Sequence, residues 1–441
     1  MELVSTVNDS WKYFAAGSFV GFTLLLLFAY QVNPYTSFMA SRNTVVEFVP
    51  LDETDATVSV IKPLEHFNIT VISPKNEVNS TVEDVVEPAE EVDKECNMFE
   101  GRWVYMPDED PGYDSTRCPF IEEKMSCRKN GRPDFEYERW RWEAKGCDIP
   151  LFNGTDMLER LRNKRVILVG DSLNRNMWMS LACLLYSSIP SSSVEVSAES
   201  PVYKFLKAKD YNCTVEFYWS PFLVEFIEKH VSGHKVLVLD KLSPNSLQWK
   251  GADVMVFNSG HWWLHGGKMK SWDLFEYEGK LVEEMPIELA YERAMTTWST
   301  WININVDSNN TSVYFRSLSA VHHSSDDWCY NATQPLEEDS VKSVAQRSDV
   351  LLPVIKKVIE GLNNNIQVKY MNITKLSQYR RDAHPSIYRS SQWKVMIKKF
   401  ENSLTGYADC SHWCLPGLPD TWNRLLYASL FFNTSGGRTS P

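Results

Sequence analysis

The sequence has no excess of positive charge: 45 Lys and Arg stand against 57 Asp and Glu, a net charge of -12. Phosphate backbones are held by concentrated Lys and Arg, so this balance argues against a nucleic-acid partner and suits a neutral or basic ligand better. There is no Walker loop and no G-x-G-x-x-G turn, which leaves nucleotide-cofactor chemistry without support. Nine cysteines are present, at 96, 118, 127, 147, 183, 213, 329, 410 and 414, yet they form no paired C-x-x-C knuckles. A zinc or other metal site is therefore not expected, and no bound cofactor is implied. No internal repeat is present. No small-x-small cleavage site follows the long apolar run near the N-terminus, where Gln31-Val-Asn-Pro-Tyr35 is poor for that purpose.

That run, Tyr13 to Val32, is uncharged and matches the roughly 20 residues a bilayer-spanning helix needs. An uncleaved signal anchor is favoured over a cleaved signal peptide. Lys12 before it and Arg42 after it say little about orientation. The cysteines say more, because nine thiols scattered over a large domain suit disulfides in an oxidising lumen. N-x-S/T sequons begin at Asn68, Asn79, Asn153, Asn212, Asn310, Asn331, Asn372 and Asn433, all beyond the run. The expected organisation is a cytosolic tail at 1–12, a transmembrane anchor at 13–32 and a flexible acidic stem at 33–94. A Cys-rich subdomain follows at 95–150, then a main domain at 151–435. Asn8 also heads a sequon but precedes the anchor, so it is expected to stay unmodified.

The main domain is organised around Arg165 to Leu185. Arg165-Val-Ile-Leu-Val169 is a β-branched run, Gly170-Asp171-Ser172 breaks it, and Met177, Leu181, Leu184 and Leu185 recur at helical spacing. Strand, tight turn and helix follow in that order. Further strands are expected at Thr214 to Trp219, Lys235 to Asp240, Asp253 to Phe257, Ser312 to Arg316 and Gln367 to Met371. Helices are expected at Asp156 to Asn163, Ile287 to Ile302 and Ser340 to Leu362, the last kinked at Pro353. Strands separated by helices imply an α/β fold: a parallel central sheet with helices on both faces.

A serine at a strand-to-helix turn sits at the carboxyl edge of the sheet and at a helix N-terminus, where developing negative charge is favoured. Ser172 is the nucleophile candidate, although Asp171 or Ser172 could equally serve as a helix cap. Asp409 and His412, spaced as D-x-x-H, can point the same way, the acid orienting an imidazole that takes a proton from Ser172. His384, before Pro385, is the competing base. Asn258, just past the strand ending at Phe257, lies at the same sheet edge and could donate to an oxyanion or cap an Asx-turn. Trp262 and Trp263 are either sugar-stacking or core residues. Asp108-Glu-Asp110 has the letters of a glycosyltransferase metal motif, but it falls in the Cys-rich loops instead of at a strand end.

In combination, GDSLNRNMW at 170–178, FNSGHWW at 257–263 and DCSHWCLPGLPDTWN at 409–423 resemble the plant trichome birefringence-like family of polysaccharide O-acetyltransferases. These PC-esterase proteins have an SGNH/GDSL-esterase-like fold. CNMFEGRWV at 96–104, NGRPDFEYERWRW at 130–142 and GCDIP at 146–150 resemble the N-terminal region of the same family, so the likeness covers about 95–435. The resemblance implies Ser172 as nucleophile, His412 as base and Asp409 as its orienting acid. Asn258, Arg175, Gly170 and Asp171 are expected around the oxyanion and substrate. It also implies bridges Cys96–Cys147, Cys118–Cys183, Cys127–Cys414 and Cys329–Cys410, leaving Cys213 free. An acetyl donor is required, acetyl-CoA or another acetylated carrier, with a wall polysaccharide as acceptor and xylan the first choice. The expected location is the Golgi membrane, with a lumenal catalytic domain. Where relatives carry a Gly pair before a cysteine, this chain has Ser-Asp-Asp-Trp-Cys329, a departure that bears on acceptor choice. The rivals are a polysaccharide acetylesterase, a Golgi glycosyltransferase sharing anchor and stem, and a wall-polysaccharide binding protein without catalysis. The first two turn over a glycan and the third only holds it.

Overall fold

The computed structural model describes residues 96–432, apart from 198–199, 324–327, 344–346, 363–365 and 401–402. The expected tail, anchor and stem lie outside the described residues, as do Asn8, Asn68, Asn79 and Asn433. Among the described residues no helix is long and apolar enough to cross a membrane.

The strands, in chain order, are β1 Asn97–Tyr105, β2 Trp140–Lys145, β3 Arg165–Gly170, β4 Val194–Ser197, β5 Tyr203–Ala208, β6 Cys213–Trp219 and β7 Val224–Ile227. They continue with β8 Val236–Leu242, β9 Val254–Phe257, β10 Leu274–Tyr277, β11 Lys280–Val282, β12 Ser312–Arg316 and β13 Val368–Met371. Five helices carry most of the packing: α1 Gly154–Arg160, α2 Ser172–Tyr186, α3 Ile287–Asn305, α4 Leu352–Glu360 and α5 Leu418–Phe431.

The main sheet has the order β13-β12-β9-β3-β6-β5-β4. Neighbours from β13 to β6 run parallel, and β5 and β4 extend one edge antiparallel. In β3, Val166 and Leu168 enter one core while Ile167 and Val169 enter the other. In β9, Val254 and Val256 part from Met255 and Phe257 in the same way. Successive side chains point to opposite faces, so a run that is apolar throughout demands cover on both sides. The first face is covered by α2 and α5, which pack together over β3 and β6. The second is covered by α3 and α4, with Trp298 of α3 meeting Phe257 and Phe315 edge-on.

Two expectations are corrected. The strand expected at Lys235 to Asp240 forms as β8, but in a second sheet of order β11-β10-β8-β7 and not in the central one. Its Val236, Leu237, Val238 and Leu239 are buried there, and an apolar run states that a strand is covered without stating which neighbour it pairs with. The single kinked helix expected at Ser340 to Leu362 is instead a short helix at Glu338–Ser343, a one-turn segment at Arg347–Val350, and α4. Pro353 lies in the first turn of α4, where its missing N–H costs nothing and its fixed φ suits a helix start.

In the Cys-rich segment, β1 and β2 form an antiparallel ribbon with a bulge between Asn97 and Gly101. A Cβ on Gly101 would stand 2.0 Å from the Glu143 carbonyl oxygen, so only glycine fits. Phe120, Tyr137 and Trp142 of this segment enter the same core as α2 and α5. The four cysteine pairs implied by the resemblance are the four joined in the structure, and Cys213 is free and buried.

Candidate active site

The site is built at the carboxyl edge of β3 and β9. Gly170 ends β3 with φ 155°, and a Cβ there would lie 1.9 Å from Asn258 Oδ1, so the two strand ends close only over a glycine. Asp171 caps α2, its Oδ1 accepting from Leu173 N at 2.9 Å. Ser172 is thus the first residue of the helix, with its hydroxyl at the positive end of the dipole. The cap is Asp171, and the Ser172 hydroxyl is not used for it.

Ser172 Oγ lies 2.8 Å from His412 Nε2, and His412 Nδ1 lies 2.8 Å from Asp409 Oδ2. The other carboxylate oxygen of Asp409 accepts from the backbone N–H groups of His412 at 3.0 Å and Ser411 at 3.2 Å. Burial by itself pushes the Asp409 carboxyl up, but the His412 charge, its hydrogen bond and the two N–H donors outweigh this and hold Asp409 well below the usual carboxylate range. Asp409 therefore stays ionised and fixes the Nδ1–H tautomer, leaving Nε2 able to accept a proton from serine. His384 does not reach the serine: it is buried, stacked on Trp413 with ring centroids 3.8 Å apart, and its Nδ1 meets the His412 carbonyl oxygen.

Asn258 is buried and engaged with Asp171 in both directions. Its Nδ2 donates to Asp171 Oδ1 at 2.9 Å and its Oδ1 accepts from Asp171 N at 3.1 Å. One Asn258 N–H remains after this exchange. Arg175, one turn beyond Ser172, has its Nε 3.3 Å from Glu122 Oε1 and its guanidinium over Trp219. Trp263 is a core residue donating to Ser259 Oγ, and Trp262 is half-buried and edge-on to Trp219. Asp108 and Asp110 are exposed, and Glu109 pairs with Arg141. Among the described residues no group of three or more His, Cys, Asp or Glu is arranged to hold a metal ion.

Four polar residues of the site escaped the sequence reading. Asn174 donates through Nδ2 to the carbonyls of Val169 and Val256 and accepts from Arg316 Nε, tying β3, β9 and β12 together. Asn176 brackets Trp413, accepting from its N–H at 2.8 Å and donating to its carbonyl at 3.3 Å. Arg316 is wholly buried, and burial pulls its guanidinium down to about 10 against the opposing pull of Asp171. Burial likewise pulls His261 down to about 4, opposed by Asp171 and helped by Arg316, His412 and His265. The signal for the two asparagines was present: with Ser180 they interrupt the buried, mostly apolar side of the helix.

Residues 149–429 match the GDSL/SGNH-like acyl-esterase family found in Pmr5 and Cas1p, and residues 94–148 match the Pmr5 N-terminal domain. Such a match defines an enzyme of the esterase and acyltransferase type. The chain belongs to the PC-esterase family and, within it, to the trichome birefringence-like proteins. It is 42% identical over 351 residues to probable xylan O-acetyltransferase 10 of Oryza sativa subsp. japonica, covering 76% of this chain and 78% of that protein. It is 39% identical over 366 residues to protein trichome birefringence of Arabidopsis thaliana, covering 80% of this chain but 59% of that longer protein. With trichome birefringence-like 31 of the same plant it shares 36% identity over 393 residues, covering 86% of this chain and 90% of the relative.

Proposed function

We propose that this chain is an O-acetyltransferase that moves acetyl groups to hydroxyls of a plant cell-wall polysaccharide, xylan first among them, through an acetyl-Ser172 intermediate. The observation that carries the reading is the unbroken line Ser172 Oγ, His412, Asp409, with both contacts at 2.8 Å. Ser172 Oγ attacks the carbonyl carbon of the acetyl donor while His412 Nε2 takes its proton. The tetrahedral oxyanion forms at the α2 N-terminus, near the remaining N–H of Asn258. On collapse the donor's carrier leaves with the proton from His412, and acetyl-Ser172 remains. A sugar hydroxyl then attacks, His412 takes that proton, and Ser172 departs with it.

An open cavity of about 740 Å³ beside the 257–265 segment supports a glycan acceptor. Lys270, Glu283, Glu284 and half-buried His265 line it with hydrogen-bonding groups that sugar hydroxyls engage, while Trp263, Trp272 and Phe275 at its wall are buried core residues. The donor is acetyl-CoA or another acetylated carrier. The Golgi membrane location, with this domain in the lumen, is part of the same proposal and draws on the sequons and scattered cysteines beyond the 13–32 apolar run. A second reading, acetylesterase, draws on the family's acyl-esterase description: water would then replace the sugar hydroxyl in the second step.

The test is to incubate the purified protein with acetyl donor alone and map acetylated peptides, then add deacetylated glycans and follow products by NMR. Acetyl-Ser172 should accumulate and discharge on acceptor addition, with ping-pong kinetics. Ser172→Ala and His412→Ala should lose nearly all transfer while keeping glycan affinity. Transfer by Ser172→Ala at the unmutated rate would end the reading, and discharge to water alone would favour the esterase.

A further inference from the structure

We infer that His322 and His384 are positioning residues for His412, and that His322 acts as a buried imidazolium. The inference rests on the reading of His412 as the base that serves Ser172. Both residues are almost completely buried. A single line of contacts passes through them: Gln378 carbonyl oxygen to His322 Nε2 at 2.9 Å, His322 Nδ1 to His384 Nε2 at 2.6 Å, and His384 Nδ1 to the His412 carbonyl oxygen at 2.6 Å. Carbonyl oxygens only accept, so both outer nitrogens must carry hydrogen. A neutral imidazole carries one N–H. Two neutral rings would therefore face each other with bare lone pairs at 2.6 Å, which is repulsive. One added proton on the inner contact removes the conflict and completes all three hydrogen bonds.

The proton is assigned to His322. Burial and the charge of His322 hold His384 well below the usual imidazole range, and the His412 carbonyl and Asp409 oppose this without overcoming it. His384 is thus the neutral Nδ1–H tautomer, accepting from His322 and donating to the His412 carbonyl. The charged groups around the pair fit this state. Around His384, Asp409 acts in the opposite direction to His322, while His323 adds to the repulsion that keeps a second proton off. Arg132 donates to the carbonyls of His384 and Asp382, and the adjacent Arg380–Asp382 pair is internally neutralised. Trp413 presents only its indole face and edge to the two imidazoles. The backbone reinforces the link: His322 N donates to the Cys410 carbonyl, and Cys329 N donates to the His322 carbonyl, next to the Cys329–Cys410 bridge. Three of these contacts end on the segment that presents Asp409 and His412: His384 Nδ1 on the His412 carbonyl, His322 N on the Cys410 carbonyl, and both imidazoles on the Trp413 ring. Small displacements of that segment matter, because an error of about 1 Å at a reacting group can cost on the order of 100-fold in rate.

The decisive experiment is long-range 1H–15N NMR on the full-length protein labelled at histidine. One histidine should keep both ring nitrogens protonated at about pH 8, well above the ordinary imidazole value of about 6.5, and that signal should vanish in His322→Gln. In the kinetic arm, His322→Gln should lower kcat by roughly 10- to 100-fold with acceptor KM unchanged. Absence of any such imidazolium from the unmutated protein overturns the protonation. An unchanged kcat in folded His322→Gln overturns the positioning role. If the variant does not fold, the unmutated spectrum still decides the charge state. If no acetyl transfer is found at all, the transferase reading fails by the Ser172 experiment while the spectrum judges the histidine pair separately.

Discussion

Asp409 accepts three hydrogen bonds, and each donor constrains what could replace it. In Asp409→Asn the amide oxygen would satisfy the N–H groups of Ser411 and His412, which turns the NH2 toward His412 Nδ1. The imidazole would then have to carry its proton on Nε2, facing Ser172, and could no longer accept one. We expect kcat to fall by roughly 10⁴-fold with little loss of fold, measured as initial transfer rates beside a thermal melt; retention of more than a tenth of the rate would contradict the tautomer argument. Asp420 runs the other way. It is buried under Ser180, Tyr113 and Gly417, all donors, yet burial raises its carboxyl from 3.8 to about 6. A raised folded-state value means the native protein binds the extra proton. Its contribution is full below the unfolded value and is lost as pH climbs through about 6. Stability should therefore decline between about pH 4 and 6 by on the order of 2–3 kcal/mol from this group. Asp420→Asn should flatten that part of the melting-temperature profile, and an unchanged slope would exclude Asp420 as its source.

The segment from Asp409 to Gly417 contains no regular helix through its reactive part, and its geometry comes from outside. Asn176 of α2 clasps both backbone groups of Trp413, Cys410 is bridged to Cys329, and Cys414 is bridged to Cys127. Asn176→Ala would leave the buried N–H and carbonyl of Trp413 unmatched, a cost of about 1–3 kcal/mol. The expected signature is a lowered kcat at constant acceptor KM, and a change in KM alone would refute it. Mild reduction should abolish activity before the far-UV spectrum changes, since each bridge contributes about 2–5 kcal/mol and these two hold the reactive segment. Free thiols at Cys410 or Cys414 in the native protein would refute this. The β3–α2 junction was legible because a doubly apolar strand, a glycine and a helical stripe are all local signals. So was the pairing of Asp409 with His412, which lie three residues apart. The edge strands β4 and β5 were not legible, since their alternation of exposed and buried residues is short and broken by a turn. Nor was the second sheet, because partner choice is a property of packing. The clasp by Asn176 and the His322–His384 pair join residues far apart in the chain, and no local pattern announces such contacts.

The sequons Asn153, Asn212, Asn310 and Asn331 are exposed, and Asn372 is half-buried. A lumenal domain should carry glycans on the exposed four and none on Asn8; peptide mapping after deglycosylation reads this directly, and a modified Asn8 would reverse the proposed topology. The architecture also has a temporal side. Ser172 and His412 are 240 positions apart, and α5, which completes the core over α2, is the last helix of the described chain. A ribosome emits the serine long before the histidine, at about 5–20 residues per second. On the proposed reading, the nascent protein carries an inert hydroxyl through most of its synthesis and gains its reactivity only when the final segment emerges and docks. On that reading, a chain released by a premature stop codon between residues 173 and 412 would hold the nucleophile without its base, so such truncation alleles should behave as complete nulls and not as weakened enzymes.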